Sequence, residues 1–405
     1  MKSPAFSRAS DRDYEIRCVI GASVERAADV GEVLAAVTGV KASDHEAWFL
    51  AWHGLGDRAS QIARHADQNG HSVSAAEAWL RASTYFGVAV NAISALADTS
   101  QLAPTFAKQL QAWESFVARC GHQVAHLQIP YESTTLPGWL FEPEPSISNG
   151  ATLVAVNGSD GSHASVWASC TAAALRRGYR VLMFDGPGQQ SMLFDAATTF
   201  RPDWEHVLTP VYEMLSARQG VQPERIGVYG ISQAGYWVPR ALAFEHRFAA
   251  AIVDPGVVSV ADSWLKHLPA HLVRLLEAGR DEKFDQEMTI GMRFSADTAR
   301  TWRFRARPYG TSGYAETIRA VQTYDLTEVA GQIRTPLLIT SPEGEQFWPG
   351  QSARLAELAP AVSTLIDFTA DEGADQHCQP LARTLTAQRM FDWLDEQMPA
   401  RDSRY

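Results

Sequence analysis

A serine flanked by small residues, Gly230-Ile231-Ser232-Gln233-Ala234-Gly235, follows the apolar run Ile226 to Tyr229 and precedes the helix-compatible stretch Tyr236 to Phe244. At such a strand-to-helix turn the backbone is strained and the hydroxyl is held exposed. Small residues two before and two after the serine let the turn pass close to its neighbours. The pattern is that of a nucleophile elbow with Ser232 as the attacking group, although Ala234 stands where glycine is more usual. An ordinary turn serine has the same local composition, so the reading leans on the buried strand before it.

A hydroxyl of this kind needs a base. His377 sits in Glu372-Gly373-Ala374-Asp375-Gln376-His377-Cys378-Gln379, between the run Ser363 to Phe368 and a final amphipathic helix. Among twelve histidines it is singled out by chain order, Ser then acid then His. The acid is expected after the run Pro336 to Thr340, where Glu345 is the choice and Glu343 the alternative, the other being a solvated loop charge. Its task is to hold His377 in one tautomer and stabilise the imidazolium. An oxyanion would be held by the backbone N–H of Gln233 and by that of Ser159, in the glycine-bearing loop after Thr152 to Val156. Asp185-Gly186-Pro187-Gly188-Gln189 reads as a tight turn at the edge of the site, more structural than catalytic. No metal-ligand cluster or Walker loop is present, and Gly-Pro-Gly after a strand is not GxGxxG, so no metal and no cofactor are expected.

The elements that must position these residues are written in the hydrophobic period. From about Val24 to Cys120 apolar residues recur at helical spacing, as in Ala47, Leu50, Ala51, Gly54 and Leu55, then Ala75, Ala78, Trp79, Ala82, Tyr85, Phe86 and Ala89. Ser74 with Glu77 reads as a capping box opening the second helix. Strands are expected at His126 to Pro130 and Thr135 to Phe141 around a turn, then at Thr152 to Val156, Arg180 to Phe184, Ile226 to Tyr229, Ala250 to Val253, Pro336 to Thr340 and Ser363 to Phe368. These alternate with helices, the pattern of an α/β fold with a mostly parallel sheet covered on both faces. The expected division is a helical domain over 1–121 and a catalytic domain over 122–405. A helical lid is inserted at about 255–325, containing Trp264, Leu265, Leu268, Leu272, Leu275, Trp302 and Phe304. Trp48, Trp52, Trp79, Trp264 and Trp302 are either core or lining of an aromatic pocket, with core the commoner case.

Composition narrows the partners. With 405 residues, 46% of them apolar, the chain can fill one large core or two modest ones. A formal net charge of −11 excludes the concentrated basic surface that nucleic acid or an anionic membrane requires, leaving a small-molecule substrate. The four cysteines, Cys18, Cys120, Cys170 and Cys378, lack CxxC spacing and read as reduced thiols. Residues 1–17 lack the apolar core of a signal peptide, and no membrane-length apolar run follows, so a cytoplasmic location is expected.

In these residues the chain resembles the α/β-hydrolases typified by 2,6-dihydroxypseudooxynicotine hydrolase and the related fungal polyketide chain-shortening hydrolases. The likeness covers most of the chain. It includes the segment Ser74 to Tyr85, the hairpin Ile129-Pro130-Tyr131-Glu132 with Leu136-Pro137-Gly138, the turn Phe184 to Gln189, the elbow, and Glu372-Gly373-Ala374 with His377-Cys378-Gln379. The resemblance implies an N-terminal helical domain over the active site, a Ser/acid/His triad, hydrolysis that often cleaves a carbon–carbon bond beside a ketone, and a homodimer. Family members often carry aspartate at the acid position, where this chain has Glu345. Three functions stay open: a hydrolase of a ketone-bearing or acyl small molecule, including a plain esterase; an acyl transferase or cyclase of secondary metabolism on the same scaffold; and a non-catalytic binding protein that keeps the fold.

Overall fold

The computed structural model describes residues 5–399. Its strands form one sheet: β1 (Val124–Tyr131), β2 (Thr134–Phe141), β3 (Thr152–Val156), β4 (Arg180–Phe184), β5 (Ile226–Ile231), β6 (Ala250–Asp254), β7 (Leu337–Pro342) and β8 (Ser363–Phe368). The order across the sheet is β1-β2-β4-β3-β5-β6-β7-β8. The hairpin β1–β2 and the pair β2–β4 are antiparallel, and the remaining pairs are parallel. Because β4 and β5 flank β3 on opposite sides, the winding reverses at β3. In such sheets ligands bind above the carboxyl ends of the strands at that reversal, here the ends of β3 and β5.

Successive side chains of a strand point to opposite faces, and both faces are covered here. Leu153 and Ala155 of β3 join one core, Val154 and Val156 the other, which is why β3 is apolar at every position rather than alternating. The first face is covered by helices Ser10–Gly21, His45–Gln68, Ser72–Ala92 and Leu102–Val117, with Arg383–Gln397 from the C-terminal end. The second lies under Glu205–Ser216, Ala234–Leu242 and the inserted helices.

Helix His45–Gln68 starts where the Asp44 carboxylate accepts from the Ala47 N–H, and it buries Trp48, Trp52, Leu55, Ala59 and Ala63. The expected stripe through Leu50 is therefore one position off, since Leu50 is 56% exposed. Two tryptophans outweigh the smaller apolar residues in deciding the inward face. On Ser72–Ala92 all seven expected core residues are buried. The capping box there is not formed. His65 and Ala66 accept from Asn69, and His71 turns back onto the Ala66 carbonyl, so the next helix opens at Ser72 and Ser74 already lies inside its first turn.

Between β6 and β7 the insertion comprises helices Asp262–Leu265, Ala270–Glu277, Asp281–Phe294, Ala296–Ala306 and Tyr314–Gln322, and a bridge between Ser259 and Asp325 pinches its ends together. Helix Ala296–Ala306 reaches the N-terminal helices, where Arg300 donates to Asp11 at 2.8 Å and His45 faces Asp297 at 3.2 Å. The insertion and the helical segment thus meet across the carboxyl ends of the strands. Among the described residues no helix is long and apolar enough to cross a membrane.

Candidate active site

Ser232 follows β5 with φ 57°, a left-handed conformation that a non-glycine residue adopts only when its surroundings impose it. The Ser232 N–H donates to the Asp254 carbonyl at 2.7 Å, and the Ser232 carbonyl accepts from Gly235 at 2.8 Å. The small residues are steric necessities. A Cβ on Gly235 would lie 1.9 Å from the Pro255 carbonyl oxygen, and one on Gly158 would lie 2.9 Å from the Ser232 Cβ. Ala234 is fully buried and fits.

The Ser232 hydroxyl lies 2.9 Å from His377 Nε2, and His377 Nδ1 lies 2.8 Å from Glu345 Oε2. The second Glu345 oxygen accepts from the backbone N–H groups of Phe347 and Trp348 at 2.8 and 3.1 Å. Burial alone would raise the Glu345 pKa. The adjacent His377 and the two N–H groups outweigh burial and hold the carboxyl below its ordinary range, so it stands ready as an anion. Glu343 is exposed and accepts instead from the Ala370 N–H, tying two loops together away from His377. The imidazole is enclosed by Phe347, Trp348 and Tyr14, with ring centroids 4.8, 5.6 and 6.2 Å away.

The loop after β3 faces the elbow, with Gly158 against Ser232. No described residue accepts from the backbone N–H of Ser159 or of Gln233, the two expected oxyanion donors. The loop is held by Gln189, whose buried amide donates to the carbonyls of Asn157 and Gly158 at 2.7 and 3.0 Å and accepts from Gly186 at 2.9 Å. Gln190 then donates to the Gly161 carbonyl at 2.8 Å and accepts from Gln109 of the helical segment at 2.6 Å. The turn read as structural thus clamps the loop after β3. The signal available in the sequence was a pair of glutamines following Gly-Pro-Gly.

Beneath the serine lies a buried ion pair. Asp254, at the end of β6, accepts from Arg383 Nη1 at 2.9 Å and from Thr340 Oγ1 at 2.7 Å. The same Nη1 donates to the Cys378 carbonyl at 2.6 Å, and Nη2 to that of Ser169 at 2.6 Å. Asp254 therefore fixes the elbow through its carbonyl and the histidine loop through Arg383.

The recess is closed on one side by helix Ser10–Gly21. Tyr14 donates to the His377 carbonyl at 2.9 Å. Glu15, Cys18 and Asp160 retain accessible area, and burial raises the pKa of each. Burial, with the Asp160 and Asp11 charges, pushes Glu15 from 4.5 up to about 8. A carboxyl whose folded-state pKa is raised holds its proton where the unfolded chain has released it, so its contribution to stability falls as pH rises from about 4.5 to about 8. Glu15→Gln is expected to raise the melting temperature at pH 8.5 and to leave it nearly unchanged at pH 4.5. Equal melting shifts at both pH values would contradict the burial of this group.

Residues 153–398 match the alpha/beta hydrolase family, and the chain belongs to it as a hydrolase-type enzyme. It is 28% identical over 401 residues to Hydrolase LUC6 of Fusarium sp, covering 95% of this chain and 96% of that one. It is 30% identical over 289 residues to the alpha/beta hydrolase gkaG of Penicillium citrinum, covering 69% of this chain and 67% of the other. The solved structure of 2,6-dihydroxy-pseudo-oxynicotine hydrolase superposes with a TM-score of 0.74 at 20% identity, covering 94% of this chain and 96% of that one, a likeness of fold.

Proposed function

We propose that the chain is a serine hydrolase of a small ketone-bearing or acyl molecule, with Ser232 as nucleophile, His377 as general base and Glu345 as the acid that orients it. The observation that carries this reading is the unbroken line from Glu345 through His377 to a serine held at positive φ. Ser232 Oγ bonds to the substrate carbonyl carbon as its proton passes to His377 Nε2, and the N–H groups of Ser159 and Gln233 hold the oxyanion. Collapse breaks the bond to the leaving group, which takes the proton from His377 at oxygen for an ester or at carbon for a β-diketone. Water then attacks the acyl-serine carbonyl as His377 accepts its proton, and collapse breaks the acyl–Oγ bond, with His377 returning the proton to Ser232 Oγ and the carboxylic acid released. The helical domain of 1–121 and the lid of 255–325 serve to enclose the substrate, and the working form is a homodimer, which light scattering would show as twice the chain mass.

Enclosure also favours a second reading, acyl transfer or cyclisation, since a recess that excludes water lets another nucleophile take the acyl group. Product analysis on paired esters and β-diketones, with and without an added alcohol or amine, separates the two. The acid assignment has its own test. Glu345→Gln is expected to slow hydrolysis by about 10³- to 10⁴-fold, while Glu343→Gln stays within about twofold. The reverse ranking would overturn it.

A further inference from the structure

The insertion brings to the site a cation that, among the described residues, forms no ion pair. Arg305, on helix Ala296–Ala306, donates from Nη2 to the Ser263 hydroxyl at 2.7 Å and from Nη1 to the Ser263 carbonyl at 3.3 Å. Its guanidinium carbon lies 4.2 Å from the Trp264 ring centroid. These contacts fix the group without neutralising it. Among the described residues Arg305 forms no ion pair, whereas Arg300, Arg240 and Arg383 each meet a carboxylate.

Its place beside the reacting groups follows from both walls. Trp264 packs edge-on against Tyr309 with centroids 5.8 Å apart, the Tyr309 hydroxyl accepts from the Gln233 side chain at 3.4 Å, and Gln233 follows the nucleophile directly. From the other side, Asp160 adjoins the loop after β3, and the rise that burial gives its carboxyl pKa is partly offset by the charge of Arg305. Arg305 is half-buried, and burial lowers its pKa to about 10. Neighbouring Lys266 is already engaged by the carbonyls of Gln346 and Phe347 at 2.6 and 2.9 Å.

A guanidinium has five N–H donors in a planar fork, and Ser263 occupies two of them. We propose that Arg305 binds an anionic oxygen of the substrate, a carboxylate or the enolate of a β-dicarbonyl, and so selects acyl substrates that carry one. This rests on the Ser232 reading for its position relative to the scissile bond. A charge in a low-dielectric recess discriminates strongly between an anionic and a neutral oxygen, because the neutral group leaves it unpaired.

The test is calorimetric binding to Ser232→Ala, which cannot turn substrate over. Three probes are used: benzoylacetone, which forms an enolate; 3-benzoylpropionate, which carries a carboxylate; and 2,2-dimethyl-1-phenylbutane-1,3-dione, which offers neither. At least one of the first two is expected to bind about 10- to 100-fold more tightly than the third, and which one it is identifies the oxygen. Adding Arg305→Met is expected to erase that preference, and Arg305→Lys to keep part of it. Three equal affinities, no binding at all, or a preference that survives Arg305→Met would overturn the proposal. Labelling of the wild type by a fluorophosphonate reports on the nucleophile separately, and its absence from a folded wild type would indict Ser232 and not Arg305.

Discussion

Ser232→Ala is expected to lower turnover by about 10⁶-fold while leaving the fold intact, because the serine, histidine and acid act as one unit. Alanine removes only the hydroxyl. The Ser232 N–H bond to Asp254 and the carbonyl bond from Gly235 involve the backbone and remain. His377→Ala is expected to come close to the same loss, and the double variant to lose little more than either single one. Additive losses, measured as kcat/KM on one ester, would mean that the two residues do not share a step. A wild-type denaturation curve for Ser232→Ala is part of the expectation.

Arg383→Met is expected to destabilise the protein by about 3–5 kcal/mol, because it strands the Asp254 carboxylate in a fully buried position. The side chain also holds the Cys378 and Ser169 carbonyls, so its loss releases the segment that follows His377, where Cys378 and Gln379 both have positive φ. Urea unfolding followed by tryptophan fluorescence reads the stability change. If the destabilisation is below about 1 kcal/mol, the range of an exposed pair, then the pair does not carry the elbow. Where folded protein remains, activity is expected to fall further than the folded fraction alone explains.

How much of this was legible in the sequence depended on whether the information was local. The segments Thr152–Val156 and Arg180–Phe184 were readable as strands because local apolar runs bounded by turns mark buried strands, and Ser363–Phe368, a mostly exposed edge strand, from its short run between turns. β5 and β7 run two residues further than their apolar stretches, to Ile231 and Pro342, since backbone pairing with β6 and β8 continues past the last expected residue. As candidates, Ser232 and Glu345 stand out because each sits in a loop just after a strand, and His377 because it lies in the loop between the last strand and the final helix.

What escaped was long-range. Helix Ser10–Gly21 buries Arg12 and Arg17 beside Ile16 and Val19, so it shows no clean apolar stripe, and its role emerges only when Tyr14 meets the His377 carbonyl. Gln189 and Arg383 are polar residues whose partners, the carbonyls of Asn157, Gly158, Cys378 and Ser169, leave no mark on side-chain pattern. The false capping box at Ser74 had the right local chemistry but lost to the tight turn through Asn69 and His71.

Intact-mass spectrometry after exposure to a fluorophosphonate probe tests the nucleophile assignment most directly, with wild type, Ser232→Ala and His377→Ala compared side by side. A single adduct on the wild type, absent from Ser232→Ala and strongly slowed in His377→Ala, is the expected result. An adduct that persists on Ser232→Ala, or a folded wild type that takes none, would contradict the assignment of Ser232 as an activated nucleophile.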